Sequence, residues 1–188
     1  MNGRNSFRRY RGIILLFVRL INLTPHFFRS FLWSISTVFG GKVAVTLRYI
    51  LLKSLAKEVG DNVYIGRFVT IKKPKNLSLG NNVSIHEYCY IDAVSSIEIG
   101  SEVSIAHSTS ILSADHSWSD STIEIKYNKE ILKPTKIEDN VWIGCGVRIL
   151  GGVSIHKRSV VAAGAVVTKM VESNTLVGGI PAKELKKI

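Results

Sequence analysis

Residues 111–120 read ILSADHSWSD and place one imidazole, His116, between the carboxylates of Asp115 and Asp120, with an indole, Trp118, two residues further on. An imidazole titrates near ~6.5, so at neutral pH it is free to accept a proton. His116 is therefore a candidate general base, against the plainer reading of a polar loop residue. Asp115 and Asp120 are candidates to orient the ring or line an acceptor site, or simply to structure the loop. Trp118 is a candidate apolar wall, because an exposed indole in a polar loop is otherwise unfavourable. The other histidines are His26, His86, His107 and His156. The two cysteines, Cys89 and Cys145, make no disulfide framework and fit a reducing compartment. No motif sets a base beside Cys145, so a covalent role for it is not expected.

What positions these residues is a repeat. Aliphatic residues recur every six positions: Val59, Ile65, Ile71; Leu79, Ile85, Ile91; Ile99, Ile105, Ile111; Ile137, Ile143, Ile149; Ile155, Val161, Val167. A small residue often follows, as in Ile65-Gly66, Ile99-Gly100 and Ile143-Gly144, and a small or β-branched one lies four positions on. Six fits neither the helical period nor simple alternation. It fits short strands separated by tight corners, three to a coil, with coils stacked so that like residues form a continuous core. Glycine suits a corner whose backbone a Cβ would strain. Val59, Leu79 and Ile99 are twenty residues apart, so each coil has two hexads and one side of eight. The third coil's equivalent side runs from Ile111 to Lys136, an insertion of eighteen at the same corner. The segment bearing His116 is thus a loop, 113–136, hung on one edge of a prism.

Hexads, a histidine-bearing loop at one corner, the run KPTKIEDNVWIGCGVRILGGVSI and a closing G-x-P-A-K segment together resemble the hexapeptide-repeat O-acetyltransferases of the polysaccharide, galactoside and maltose group. The resemblance covers roughly residues 59–188. It implies a mainly β fold, a left-handed parallel β-helix over 59–172 with an N-terminal helical segment over 1–58 and a short C-terminal cap over 173–188. It also implies acetyl-coenzyme A as co-substrate, a sugar or glycan acceptor, and direct transfer with His116 as general base. The family forms homotrimers, which implies that His116 of one chain faces Trp142 and the later coils of another. Donor contacts carry over to Ala163 and Thr168 and to the small residue Cys145. Gly144 and Gly164 complete a smooth track for the pantetheine arm. Lys183, Lys186 and Lys187 are candidates for the nucleotide phosphates, or a solvated face. His86 stands where sugar acetyltransferases carry an asparagine that contacts the acceptor, which puts the acceptor's identity in question. Zinc-dependent carbonic anhydrases share the coil; His86, His107 and His116 are the one plausible set here, but they lack that family's H-x4-H spacing. No metal is expected.

The chain carries a formal charge of +11 over 188 residues, unevenly spread. Residues 1–58 hold ten Lys/Arg and a single acid, Glu58, and nine of the chain's sixteen aromatic residues. The start imitates a signal peptide, yet its apolar run stops at Arg19 and no small-residue cleavage site follows, so secretion is not expected. The longest stretch without charge, 30–41, is too short to span a bilayer, which takes about 20 residues. Pro25 and Gly40-Gly41 divide the segment into three expected helices. Basic residues mixed with Phe, Trp and Leu mark helices that lie in a membrane interface; packing against the prism or across a trimer is the competing expectation. The resulting expectation is a cytoplasmic enzyme held on the inner face of the cell membrane, acting on a surface polysaccharide or its lipid-linked precursor. The alternatives are an acetyltransferase of a soluble small molecule (a free sugar, serine or an antibiotic) and a non-enzymatic membrane- or nucleic-acid-binding scaffold. Nucleic acid is not expected, because the basic residues sit among apolar ones rather than in a polar stripe.

Overall fold

Each hexad folds as one short strand and one corner. The computed structural model describes residues 3–188, the side chains of residues 3, 4 and 6 excepted. It is mainly β, a parallel β-solenoid of about six turns behind three N-terminal helices. Face A stacks Glu58–Val59, Leu77–Leu79, Ile97–Ile99, Thr135–Ile137 and Ser154–Ile155. Face B stacks Tyr64–Ile65, Ser84–Ile85, Ser104–Ile105, Trp142–Ile143, Val160–Val161 and Thr175–Gly178, with Lys183–Lys187 added antiparallel at its end. Face C stacks Thr70–Lys72, Tyr90–Asp92, Ser110–Leu112, Arg148–Ile149 and Val166–Val167.

The ladder holds in register. On face B, Ile65 pairs with Ile85, Ile85 with Ile105, Ile105 with Ile143, and Ile143 with Val161. Strands of two or three residues have little stability of their own, so burial fixes them. The inward ladder and the residue four places on (Val63, Val83, Cys89, Val103, Thr109, Val147) are buried almost without exception, forming one core along the axis. A fully buried isoleucine contributes about 1.5–3 kcal/mol, and a one-residue slip would turn the whole ladder outward.

The glycines that directly follow ladder residues serve a different purpose from the one the sequence suggested, whereas Gly146 and Gly164 do have left-handed backbone. Gly60 and Gly144 do not have left-handed backbone; a Cβ on Gly60 would lie 2.5 Å from the Gly80 carbonyl carbon, and one on Gly144 2.6 Å from the Ala163 nitrogen. Close approach of stacked coils, not backbone strain, demands the missing side chain. Left-handed backbone falls two residues later, at Asn62, Asn82 and Asn140 among others. There asparagine tolerates it, and Asn62 Nδ2 donates to Asn82 Oδ1 at 2.8 Å, binding coil to coil.

Helices α1 (Gly3–Asn22), α2 (His26–Ser36) and α3 (Gly41–Leu55) break at Pro25 and at Gly40-Gly41. α3 seals the first coil with buried Tyr49, Leu51, Leu52 and Leu55, and the Tyr49 hydroxyl donates to the Gly60 carbonyl at 3.0 Å. α1 lays Phe7, Ile14, Val18 and Ile21, one helical stripe, against this core. Its other apolar stripe, Ile13, Leu16, Phe17 and Leu20, is exposed, as are Phe27, Phe31, Val38 and Phe39 in and beyond α2. Among the described residues no helix is long and apolar enough to cross a membrane.

Candidate active site

The insertion is a two-stranded arm on the edge where face C turns into face A. Ala114–His116 pairs antiparallel with Glu130–Leu132. Its root is pinned: the buried Ser113 hydroxyl donates to the Asp92 carbonyl at 2.7 Å, and the buried Thr135 hydroxyl to the Leu112 carbonyl at 2.7 Å. Gly151-Gly152 lets the root lie on the next coil, where the Gly152 amide donates to the Lys133 carbonyl. The tip is folded on Asn128, which receives the Asp120 amide and donates to the Asp120 carbonyl. A side chain at the strand end is thereby held on a stiff support.

His116 is exposed at that strand end. Asp115 and His116 are successive strand residues, so they project from opposite sides of the arm. The Asp115 carboxylate meets Lys133 Nζ at 2.6 Å, where it ties the two strands together rather than orienting the imidazole. Asp120 accepts hydrogen bonds from the Thr122 amide and hydroxyl, which hold its carboxyl below the usual carboxylate range and make it a turn residue. Trp118 is exposed.

Two residues that sequence reasoning passed over lie close to His116 or to the arm's foot. Glu130 is the direct cross-strand partner of His116. The ladder bonds at Ser117–Lys129 and Ser113–Lys133 make 116/130 a non-hydrogen-bonded pair, the class whose side chains come closest. Only the pairing of the arm's two strands reveals it. Asp92, in register with Leu112 at the arm's root, accepts the Tyr90 hydroxyl at 2.9 Å and faces Lys72 Nζ at 3.6 Å. Its second carboxylate oxygen is buried without a partner.

The remaining candidates fall on other edges. Gly144, Cys145, Ala163 and Gly164 share the edge between faces B and C, where the Gly164 amide donates to the Cys145 carbonyl at 2.8 Å. His86 and His107 lie on the same edge, and His86 Nδ1 is 3.9 Å from Glu87 Oε2. Trp142 projects outward from face B beside Ser104 and Val160. Thr168 follows face C and so sits on the arm's edge, away from Ala163. Lys183 and Lys186 are exposed on the antiparallel end strand of face B. His156 lies on the edge between A and B, with Nδ1 3.3 Å from Glu138 Oε1. Cys89 is buried, and desolvation pushes its thiol up to about 11, out of nucleophilic range. Among the described residues no three His, Cys, Asp or Glu side chains converge as a metal-ligand set. Within one chain, face C stands between His116 and the small-residue track.

This arrangement has counterparts. Residues 134–169 match the family described as bacterial transferase hexapeptide (six repeats). The chain is 32% identical to a hexapeptide-repeat acetyltransferase of Vibrio cholerae solved with acetyl-coenzyme A, covering 85% of each chain with a TM-score of 0.76. It is 30% identical to a maltose O-acetyltransferase of Clostridium difficile over 97% of this chain and 88% of that one, with a TM-score of 0.72. Over 55 residues it is 58% identical to a putative acetyltransferase of Schizosaccharomyces pombe, 29% of this chain and 27% of that protein. The matched stretch thus spans under a third of the length of this curated relative.

Proposed function

The chain belongs to the hexapeptide-repeat acetyltransferases, and from that premise we propose that it moves acetyl from acetyl-coenzyme A to a sugar hydroxyl of a surface polysaccharide or its lipid-linked precursor. In the reaction, His116 takes the hydroxyl proton as the sugar oxygen attacks the thioester carbonyl. Collapse of the tetrahedral intermediate breaks the C–S bond, and the imidazolium returns the proton to the departing thiolate. Atoms and charge balance without a metal or an acetyl-enzyme.

One observation carries the reading: a lone imidazole on a pinned arm at one edge, and a track free of large side chains at the next. The pantetheine arm fits only where side chains are small, and Gly144, Cys145, Ala163 and Gly164 provide that. Because face C separates the halves, the site closes between chains, and a threefold ring of prisms supplies this at every interface. Glu130, in register with His116 across the arm, offers a carboxylate that can turn to the imidazolium.

The exposed apolar faces of α1 and α2 support a peripheral position on the inner face of the cell membrane. Arg8, Arg9 and Arg19 of α1 are exposed, and no acid precedes Glu58. Such helices lie in the headgroup region, attracted by anionic lipid. There the enzyme would meet lipid-linked saccharide where acetyl-coenzyme A is available.

Thiol release from acetyl-coenzyme A in the presence of glycan tests the chemistry. His116→Ala is expected to lower turnover by about 10²–10⁴-fold with the circular dichroism of the parent. Turnover near the parent's would remove His116 from the mechanism. Mass spectrometry of surface glycans with and without the gene identifies the acceptor through a missing acetyl group.

A further inference from the structure

The edge between faces B and C changes character along its length. One corner residue in each coil there has left-handed backbone: Phe68 (φ 57°), Tyr88 (φ 61°), Ser108 (φ 61°), Gly146 (φ 68°) and Gly164 (φ 71°). On the edge between A and B the same role falls mostly to asparagine, at Asn62, Asn82, Asn140 and Asn174. Glycine and asparagine are at home in this conformation; a bulky aromatic is an outlier. Such outliers persist where the surrounding fold holds them, and they cluster at functional sites.

The two aromatics are also poorly covered. Phe68 and Tyr88 are 37% and 59% exposed, and their rings stack on each other with centroids 5.0 Å apart and 18° between planes. Neighbouring strands of a sheet are about 4.8 Å apart, so this stack runs along the edge, from coil one to coil two. Phe68 covers one face of Tyr88. Ser108, on coil three, has no ring to cover the other. Around the stack stand hydrogen-bonding groups: Arg67, whose guanidinium lies 5.7 Å from the Phe68 ring, and Glu87, which accepts the Tyr64 hydroxyl at 3.0 Å.

We propose that the Phe68–Tyr88 stack is the landing platform for the acceptor, a pyranose saccharide chain whose ring lies on the open face of Tyr88. The C–H groups on one face of a pyranose are weakly positive and the face of an aromatic ring is negative, so the two attract while shedding water. Glu87 and Arg67 at the rim offer an acceptor and donors for the hydroxyls, the usual division of labour in a ligand site. This rests on the reading that the same edge carries pantetheine over Gly146 and Gly164. The saccharide and the thioester then meet end to end along one edge, bulky and flat below, smooth above.

The test titrates the full chain with galactose- and glucose-containing tetra- to hexasaccharides in the absence of acetyl-coenzyme A, followed by saturation-transfer NMR and tyrosine fluorescence. The variants are Phe68→Asn and Tyr88→Asn, since asparagine suits a left-handed corner and leaves the coil able to fold. Saccharide binding is expected to weaken about tenfold in each, with the melting temperature equal to or above the parent's. In turnover, KM for the saccharide is expected to rise by a similar factor while KM for acetyl-coenzyme A stays within about twofold. Unchanged binding and KM in both variants overturns the platform, as does a parent chain that binds none of the saccharides. Binding that depends on Tyr88 in a chain that releases no thiol sustains the platform and sinks the acetyltransferase reading instead.

Discussion

At the scale of single residues, neighbours in sequence and partners in space divide cleanly. Asp115 adjoins His116 in the chain but turns to Lys133, whereas Glu130, fourteen residues on, faces His116 across the arm. In the proposed reaction, a carboxylate there steadies the imidazole as it takes and returns a proton. Glu130→Gln is expected to lower kcat about tenfold, the worth of one hydrogen bond at about 1.4 kcal/mol, with both KM values within about twofold. Glu130→Asp is expected to recover part of the loss. Stopped-flow and steady-state kinetics of the pair decide it: a change in KM alone, or no difference between Gln and Asp, would assign Glu130 to arm structure only. The sequence showed the histidine and its loop but could not show this partner, because pairing across an insertion depends on where the chain turns.

At the scale of elements, one buried cation ties α2 and α3 to the solenoid alongside their apolar packing. Arg48 is 1% exposed, and its Nε donates to the Ile65 carbonyl while one terminal nitrogen donates to the carbonyls of Ser36 and Phe39. No carboxylate shares the site in these bonds. The C-terminal carbonyls of α2 supply the negative end of a helix dipole, and desolvation holds the guanidinium below its ordinary range. A forked, planar head is required, since a lysine ammonium cannot reach all three oxygens at once. Arg48→Met leaves those carbonyls unpaired in a dry place. It is expected to cost about 3 kcal/mol and lower the melting temperature by roughly 6–12 °C. A calorimetric scan with no shift would show that water replaces the guanidinium at this joint.

At the scale of the whole molecule, the front segment divides into a packed part and a part with an exposed apolar stripe, a division that composition alone could not make. α3 packs, as the competing expectation had it, and closes the first coil. α1 and α2 keep an apolar stripe outside, with arginines beside it. Replacing Ile13, Phe17 and Leu20 together by Glu alters only exposed positions, so folding is expected to survive. Binding to vesicles of phosphatidylglycerol and phosphatidylethanolamine is expected to fall at least about tenfold, since three lipid-facing apolar side chains are lost and three new carboxylates oppose the anionic headgroups. Flotation equal to the parent's, with a lower assembly mass by sedimentation, would assign this stripe to contact between chains.

By itself the sequence determined the period, the coil length, the register of the three parallel ladders as far as Val167 and the corner at which the arm departs, because a repeat buries identical positions and any slip exposes the whole set. It also marked the breaks between the helices, since proline and glycine act locally. Only the tertiary structure decided why the glycines after the ladder residues are needed, which acidic residue pairs in register with His116 across the arm, and that Phe68 and Tyr88 stack in left-handed backbone on the edge shared with the small-residue track. Those facts depend on coils approaching one another and on strands crossing, and contacts between distant residues leave no periodic trace in the chain.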